Sequence, residues 1–320
     1  MKVHDINQMV ALYLALQPLP QAYIAEHVHD TQSQRILIDQ LISNAHTIAY
    51  PPATDYQRKF WKNVVAALEG KGVEIEEEIY ERLICTLNTP VKQGPPEASY
   101  LTYLLSRPES CTISTTTWRR PPDIDNFSQD YRPLTIRESR TTIERGTTGL
   151  RTWRASLDLA EWALQNHPAS PSVHVRALDW EDSVNEDRRS FVRTLLEEID
   201  ADVILAADVV YDPSIIPPLT CTLRLALERP FPTKQAAGEG ANNVQSLQPG
   251  SQRKAYVALT LRREQTFAEF LASAEQEGLG IEFIEMNLPP HNERVFRGSD
   301  DSSSGSTVTT RLMRLTVRSV

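Results

Sequence analysis

The stretch Ile199-Asp200-Ala201-Asp202-Val203-Ile204-Leu205-Ala206-Ala207-Asp208-Val209-Val210-Tyr211-Asp212 decides the fold. A continuous apolar run bounded by acids predicts a strand buried on both faces of a parallel sheet. Open parallel sheets bind ligands at the carboxyl ends of their strands, so Asp208 and Tyr211 fall where such a sheet does its chemistry. A plainer reading gives Asp208 only the task of capping the turn that follows, and the motif alone leaves both open.

Working outward, strands and helices alternate on both sides of this run. Upstream, Thr135–Ser139 is a short strand-like piece. A Gly146-Thr147-Thr148-Gly149 turn then leads to a helix whose expected buried stripe is Leu150, Trp153, Leu157, Ala160 and Leu164. Ser172–Leu178 alternates as a strand, and Asp182–Glu198 becomes amphipathic through Phe191, Leu195 and Leu196. Strand, helix and strand in succession predict a parallel crossover. Downstream, Pro217–Leu227 is a helix with proline in its first turn. Strands at Ala255–Leu261, Ile281–Met286 and Leu312–Val317, with a helix over Gln265–Gly278, predict an antiparallel edge. The stretches 233–253 and 298–310 are rich in Gly, Ser, Asn and Gln and are expected to be flexible loops.

Residues 1–90 have a different character. Thr31 with Gln34 and Thr54 with Gln57 match capping-box spacing. In the second of these helices Tyr56, Phe60, Val64, Ala67 and Leu68 share one face, and Gly70 supplies the stop. A third helix, about Ile75–Leu87, opens on acids as the helix dipole favours. The expected organisation is therefore a helical region at 1–90, an ordered connector at 91–130 and an α/β domain at 131–320.

Composition narrows the functions. With 40% hydrophobic residues in 320, the chain is ordinary and globular. A net charge of -9 argues against broad binding to nucleic acid and makes a basic region of a protein partner the better match. The three cysteines, Cys85, Cys111 and Cys221, have no metal-site or disulfide spacing, which points to a reducing, cytoplasmic setting and to no metal. His27 and His29 lack further ligands nearby and read as surface residues. Trp118-Arg119-Arg120 reads as a basic aromatic patch packed on the sheet. Met1–Leu19 lacks the pattern of a signal peptide, and no run approaches the roughly 20 apolar residues of a membrane span.

Placed in order, Gly146–Trp153, Leu178-Asp179-Trp180, Ala206–Tyr211 and Leu259–Phe267 make the chain resemble a family-16 seven-strand, class I methyltransferase. It is most similar to the translation elongation factor 2 lysine methyltransferases, which also carry a helical N-terminal extension. The resemblance covers most of residues 130–320. It implies a Rossmann-like α/β fold, S-adenosyl-L-methionine as cofactor, and transfer of methyl groups to a lysine of elongation factor 2 or a similar protein by a monomer. It also implies that Trp153 and Trp180 line the cofactor pocket, the latter beside the adenine, that Ala207 borders the cofactor, and that Asp208 and Tyr211 position the incoming lysine. The chemistry agrees: flat apolar rings suit a purine face. A neutral amine held in line with a sulfonium needs an acceptor for its hydrogens and an aromatic wall.

One block of the family pattern has no counterpart. Between the helix containing Trp162 and Asp179-Trp180 the family has a strand, a glycine-rich cofactor loop, a helix and a strand ending in a ribose-binding acid. None of the 12 glycines falls in that interval here. The expectation is a truncated sheet of about five strands, mostly parallel, with Val173–Ala177 pairing in parallel with Val203–Ala207. Cofactor binding is expected to be weakened. Either an internal segment has been lost from a methyltransferase, or the chain is a non-catalytic interaction module.

Overall fold

The computed structural model describes residues 3–90, 94–106, 131–141, 143–144, 147–148, 151–166, 176–228, 252–290, 293–297 and 310–318. In chain order the helices are α1 (Val3–Leu14), α2 (Gln21–His27), α3 (Thr31–Leu37), α4 (Ala45–Ala49), α5 (Thr54–Glu69), α6 (Glu77–Asn88), α7 (Arg154–Asn166), α8 (Arg189–Ile199), α9 (Ile216–Leu227) and α10 (Glu264–Gln276). The strands are β1 (Ser99–Ser106), β2 (Tyr131–Glu138), β3 (Ile143–Glu144), β4 (Thr147–Thr148), β5 (Val203–Ala207), β6 (Lys254–Thr260), β7 (Leu279–Ile284), β8 (Phe296–Arg297) and β9 (Thr310–Val317). Two compact units result: Met1–Thr152 with Leu288–Ser306, and Trp153–Asn287 with Thr307–Val320. Among the described residues no helix is long and apolar enough to cross a membrane.

In the first unit, α1 to α6 surround a core in which Tyr13 and Trp61 are the largest fully buried side chains. Phe60 lies 4.4 Å from Tyr13 and 5.0 Å from Trp61, ring centre to ring centre, so aromatic contacts add to the area buried. The expected stripe on α5 is the core face: Phe60, Val64, Ala67 and Leu68 are buried and Tyr56 packs against them. The caps differ from expectation. Helix α3 is capped by Asp30, whose carboxylate accepts from Ser33 N at 2.7 Å while the Ser33 hydroxyl accepts from Asp30 N. Buried Gln34 instead donates to Glu74 O and accepts from Glu76 N, tying α3 to the approach of α6. Gln57 turns back to Pro52 O and no side chain caps α5. Gly70 stays right-handed, and the left-handed residue after α5 is Gly72. Within the stretch expected as a connector, β1 pairs antiparallel with β2 along its whole length and with β8 at one end.

In the second unit β6 is the buried centre of a four-stranded sheet ordered β5-β6-β9-β7. Ala255, Val257 and Leu259 face α9 and α10 through Leu219, Leu223, Phe267 and Phe270. Tyr256 faces the other way and meets Trp162 of α7, with ring centres 4.6 Å apart. The period-two alternation of a strand thus gives each helix layer its own set of β6 side chains. Buried Arg253, just ahead of β6, donates to Ala226 O and Glu228 O at the end of α9 and pairs with Asp200 at the end of α8. One guanidinium thereby satisfies carbonyls that a helix end leaves without partners.

Several expectations are corrected here. Only β5 and β6 are parallel; β9 runs antiparallel to both β6 and β7, so the described sheet has four strands with one parallel pair rather than about five that are mostly parallel. Residues 172–175 of the expected partner strand lie outside the described residues, and Arg176–Asp179 form no strand. The expected pairing of Val173–Ala177 with β5 is therefore not described. With β6 as its one described partner, β5 is half-buried and Leu205 is 48% exposed, not enclosed on both faces. The core face of α7 is Ala155, Leu159 and Trp162 with Asp158, one turn-phase away from the expected Leu157, Ala160 and Leu164. On α8, Val192 and Leu195 point inward and Phe191 is 56% exposed. Trp118-Arg119-Arg120 and most of 233–253 and 298–310 lie outside the described residues. Replacing fully buried Phe270 with alanine should cost about 3–5 kcal/mol in denaturant unfolding. Phe191→Ala should stay within about 0.5 kcal/mol.

Candidate functional site

Strand β5 is followed directly by Asp208, which adopts φ 51°. A left-handed backbone is costly for most side chains, and aspartate is among the few that tolerate it. Two hydrogen bonds hold it there. Its N–H donates to Ala258 O at 2.8 Å, and its Oδ1 accepts from Thr260 N at 2.9 Å, so the end of β5 is fastened to the end of β6 by main chain and side chain together. Oδ2 is buried and has no hydrogen-bond partner among the described residues. Burial raises the carboxyl pKa above the ordinary range; the Thr260 amide, Arg262 and the Ala155 amide pull it back, and Asp158 adds to the rise. The Ala155 amide acts without closing a hydrogen bond to Oδ2. The capping alternative belongs to a different residue: Asp212 accepts from Ser214 N at 2.9 Å and caps the next turn.

Beyond the end of β6, the Arg262 guanidinium lies 4.2 Å from the centre of the Trp153 ring, immediately ahead of α7. A cation over an indole is worth about 0.5–2 kcal/mol. In the first turns of α7, Arg154 pairs with buried Asp158 at 3.0 Å, and the Thr310 hydroxyl donates to Asp158 Oδ2 at 2.6 Å. Asp208, Arg262 and Trp153 thus form one charged and aromatic group at the carboxyl end of the sheet.

Trp180 opens a short 3-10 turn, Trp180–Ser183, capped by Asp179, whose carboxylate accepts from Glu181 N at 3.0 Å. It lines an open cleft of about 490 Å³ with Ala177, Leu178, Asp179, Glu181, Ile215 and Pro218. None of Trp153, Ala207, Asp208 or Tyr211 lines that cleft. Ala207 is half-buried at the last position of β5, and Tyr211 is 40% exposed. The structure therefore brings Asp208 and Trp153 together through Arg262, and it sets Trp180 in a cleft of its own. Sequence reading gave no role to Arg262, Thr260 or Asp158. Arg262 and Thr260 stood inside a quoted motif, and an acid at the centre of the apolar face of α7 was the signal for Asp158.

The residues present fit one part of S-adenosyl-L-methionine better than the rest. An indole beside apolar Ala177, Leu178, Ile215 and Pro218, with the Asp179 and Glu181 carboxyl groups at the rim, suits a purine and its ribose hydroxyls. Trp153 presents a ring already stacked under Arg262.

A family model described as lysine methyltransferase matches residues 149–230, which contain all five expected site residues. The chain is 27% identical over 155 residues to the cattle (Bos taurus) protein-lysine N-methyltransferase EEF2KMT, covering 48% of this chain and 38% of that protein. With its human (Homo sapiens) counterpart it shares 30% over 138 residues, or 43% of this chain and 33% of the relative. With the mouse (Mus musculus) counterpart it shares 21% over 354 residues, or 90% of this chain and 89% of the relative. The chain thus spans about a third of the cattle and human relatives in those matches. The mouse alignment is longer than the 320 residues of this chain, so part of that relative faces gaps. The resemblance to a family-16 class I methyltransferase like EEF2KMT is borne out.

Because burial places the folded pKa of Asp208 above its unfolded value, the stability contributed by the protonated form is present below the unfolded pKa and lost as pH rises through the folded one. Asp208→Asn keeps an acceptor for Thr260 N and tolerates the left-handed backbone. It should match or exceed the wild type in thermal stability near neutral pH, and that margin should vanish as pH falls to about 4. Asp208→Ala, which loses the bond and fits the backbone poorly, should cost about 1–2 kcal/mol in the same melts.

Proposed function

We propose that the chain derives from an S-adenosyl-L-methionine-dependent protein-lysine N-methyltransferase, with elongation factor 2 as its substrate in the cytoplasm and the monomer as its working form. Asp208 carries the reading. A carboxylate oxygen that is buried, unbonded and fixed at the carboxyl end of a strand is an acceptor waiting for a donor, and a lysine amine is such a donor. Its place inside the segment matched by the lysine methyltransferase model supports the assignment.

In this reading Asp208 Oδ2 accepts a hydrogen of the lysine amine and so turns the nitrogen lone pair toward the reacting carbon. Thr260 N holds the carboxylate plane through Oδ1, and exposed Tyr211 forms the outer wall of the channel. Trp180 and its cleft hold the adenine, Trp153 and Ala207 border the cofactor, and Arg262 fixes the Trp153 ring. S-adenosyl-L-methionine, when bound, supplies an electrophilic methyl group on its sulfonium. The barrier is lowered chiefly by alignment, so misplacing the amine is expected to cost roughly 100-fold in rate.

A second reading, a non-catalytic interaction module, is favoured by two observations. The indole of Trp153 is covered by a guanidinium, and no glycine lies between Trp162 and Trp180 to let backbone amides approach a cofactor. Titration calorimetry of the whole chain with S-adenosyl-L-methionine separates the two. Losing a few hydrogen bonds of about 1 kcal/mol or more each moves a micromolar site into the millimolar range, and that weak binding is the expected result. Micromolar affinity, together with labelling of purified elongation factor 2 that Asp208→Asn abolishes, would instead establish a competent transferase.

A further inference from the structure

Helix α6 has one side fixed and one side open. On the fixed side Ile79 is fully buried, Thr86 is buried and Leu83 packs on the helical core. Arg82 donates to Gln57 Oε1 at 2.8 Å. The Arg58 guanidinium donates to Thr86 O at 3.0 and 2.7 Å and to Thr89 O at 2.7 Å, capping the carbonyl end of the helix. Nothing on this side is available to a partner.

On the open side Tyr80, Ile84 and Leu87 stand 38%, 54% and 43% exposed. They are spaced i, i+4 and i+7, so they make one continuous seam along the helix. A seam of large apolar side chains at helical spacing is the pattern of an interface, unlike apolar residues scattered singly over a surface. Its rim is acidic. Glu77 and Glu81 are exposed on the same helix, Glu74 is exposed just ahead of it, and Glu69 accepts from the Tyr80 hydroxyl at 3.5 Å. Among the described residues Arg35 takes up Glu76 and Glu78, at 2.9 and 3.6 Å, while Glu69, Glu74, Glu77 and Glu81 have no ion pair. The nearby cations Arg58 and Arg82 are turned inward.

We infer that this face docks a basic amphipathic helix of a partner protein, its apolar side on Tyr80, Ile84 and Leu87 and its flanking lysines and arginines on the four glutamates. The rim chooses among occupants. A second copy of the chain would bring the same acids against themselves, and a phosphate backbone or an anionic lipid surface would be repelled. A cationic helix meets complementary charge beside the seam. The inference is independent of the transferase reading, since neither the site at β5 nor any methyl transfer enters it.

The test uses the full-length chain and a fluorescein-labelled synthetic helix of about five turns, with leucines at i, i+3, i+4 and i+7 and lysines and arginines elsewhere. Anisotropy should show binding that weakens as salt is raised. Ile84→Asp should weaken it by about ten-fold or more. The double substitution Glu77→Lys with Glu81→Lys should weaken it and flatten its salt dependence. All three positions are exposed, so the variants should stay folded, the charge-reversed pair melting only slightly lower because Glu77 lies in the first turn of α6, and loss of fold cannot account for loss of binding. The same peptide with glutamates in place of its cations should not bind. Equal binding of that control, or unchanged binding by the variants, would overturn the inference. So would a concentration-dependent dimer abolished by Ile84→Asp, which would give the face to a second copy.

Discussion

Covering both faces of β6 is the constraint on which the second unit depends. A strand that buries Ala255, Val257 and Leu259 on one side and Tyr256 and Ala258 on the other needs a helix layer on each face and a hydrogen-bonded neighbour along each edge. Helices α9 and α10 supply one layer, α7 the other, and β5 and β9 the edges. The position of the candidate site follows from this. The last residue of β5 lies opposite Ala258, so the next residue, Asp208, reaches the amide of Thr260, the last residue of β6, and Arg262 leaves the same strand end to cover Trp153.

The first unit answers a different constraint. Its helices are short, and α2, α3 and α4 have too few turns to be stable in water by themselves. Their order comes from the shared core of Tyr13, Phe60, Trp61, Leu68 and Ile79, and from side chains that bond across elements, such as Gln34 to the approach of α6. Burial of the Tyr13 hydroxyl raises its pKa far above the usual phenol range, so that group stays neutral inside the core. The same economy leaves α6 with its inner residues spent and its outer seam open.

Much of this was legible in the sequence, for definite reasons. Strands β6, β7 and β9 and helices α5, α9 and α10 announce themselves by period and by Pro or Gly punctuation, which depend only on local chemistry. The position of Asp208 at the strand end was legible because an acid ending an apolar run is a local signal. What failed depends on partners far away in the chain. The apolar character of β5 predicted enclosure, but enclosure requires neighbours on both edges, and only β6 is described beside it. Phe191 was placed inward by its hydrophobicity, while the phase of α8 is set by Val192 against Cys221 and Leu225 of α9. The face of α7 was misread because Asp158 broke the apolar pattern, and its cost of burial is offset by Arg154 and Thr310, the latter 152 positions away. Sequence spacing does not reveal a partner at that distance.

The conformation of Asp208 has a cost that the proposed function would explain. A left-handed aspartate costs of the order of 1 kcal/mol in backbone energy, and an oxygen buried without a donor adds a desolvation penalty. A residue selected only for stability would satisfy both oxygens in a relaxed backbone. Here the main chain bond to Ala258 and the side chain bond to Thr260 hold the strained conformation, and together they leave one oxygen buried without a hydrogen bond among the described residues. Under the proposed function, strain that the surroundings maintain, in a group whose unmet need is a single hydrogen, would be preorganisation for the incoming amine. Remote packing of β6 supplies that rigidity, so the core that makes the fold also fixes the geometry of the carboxylate.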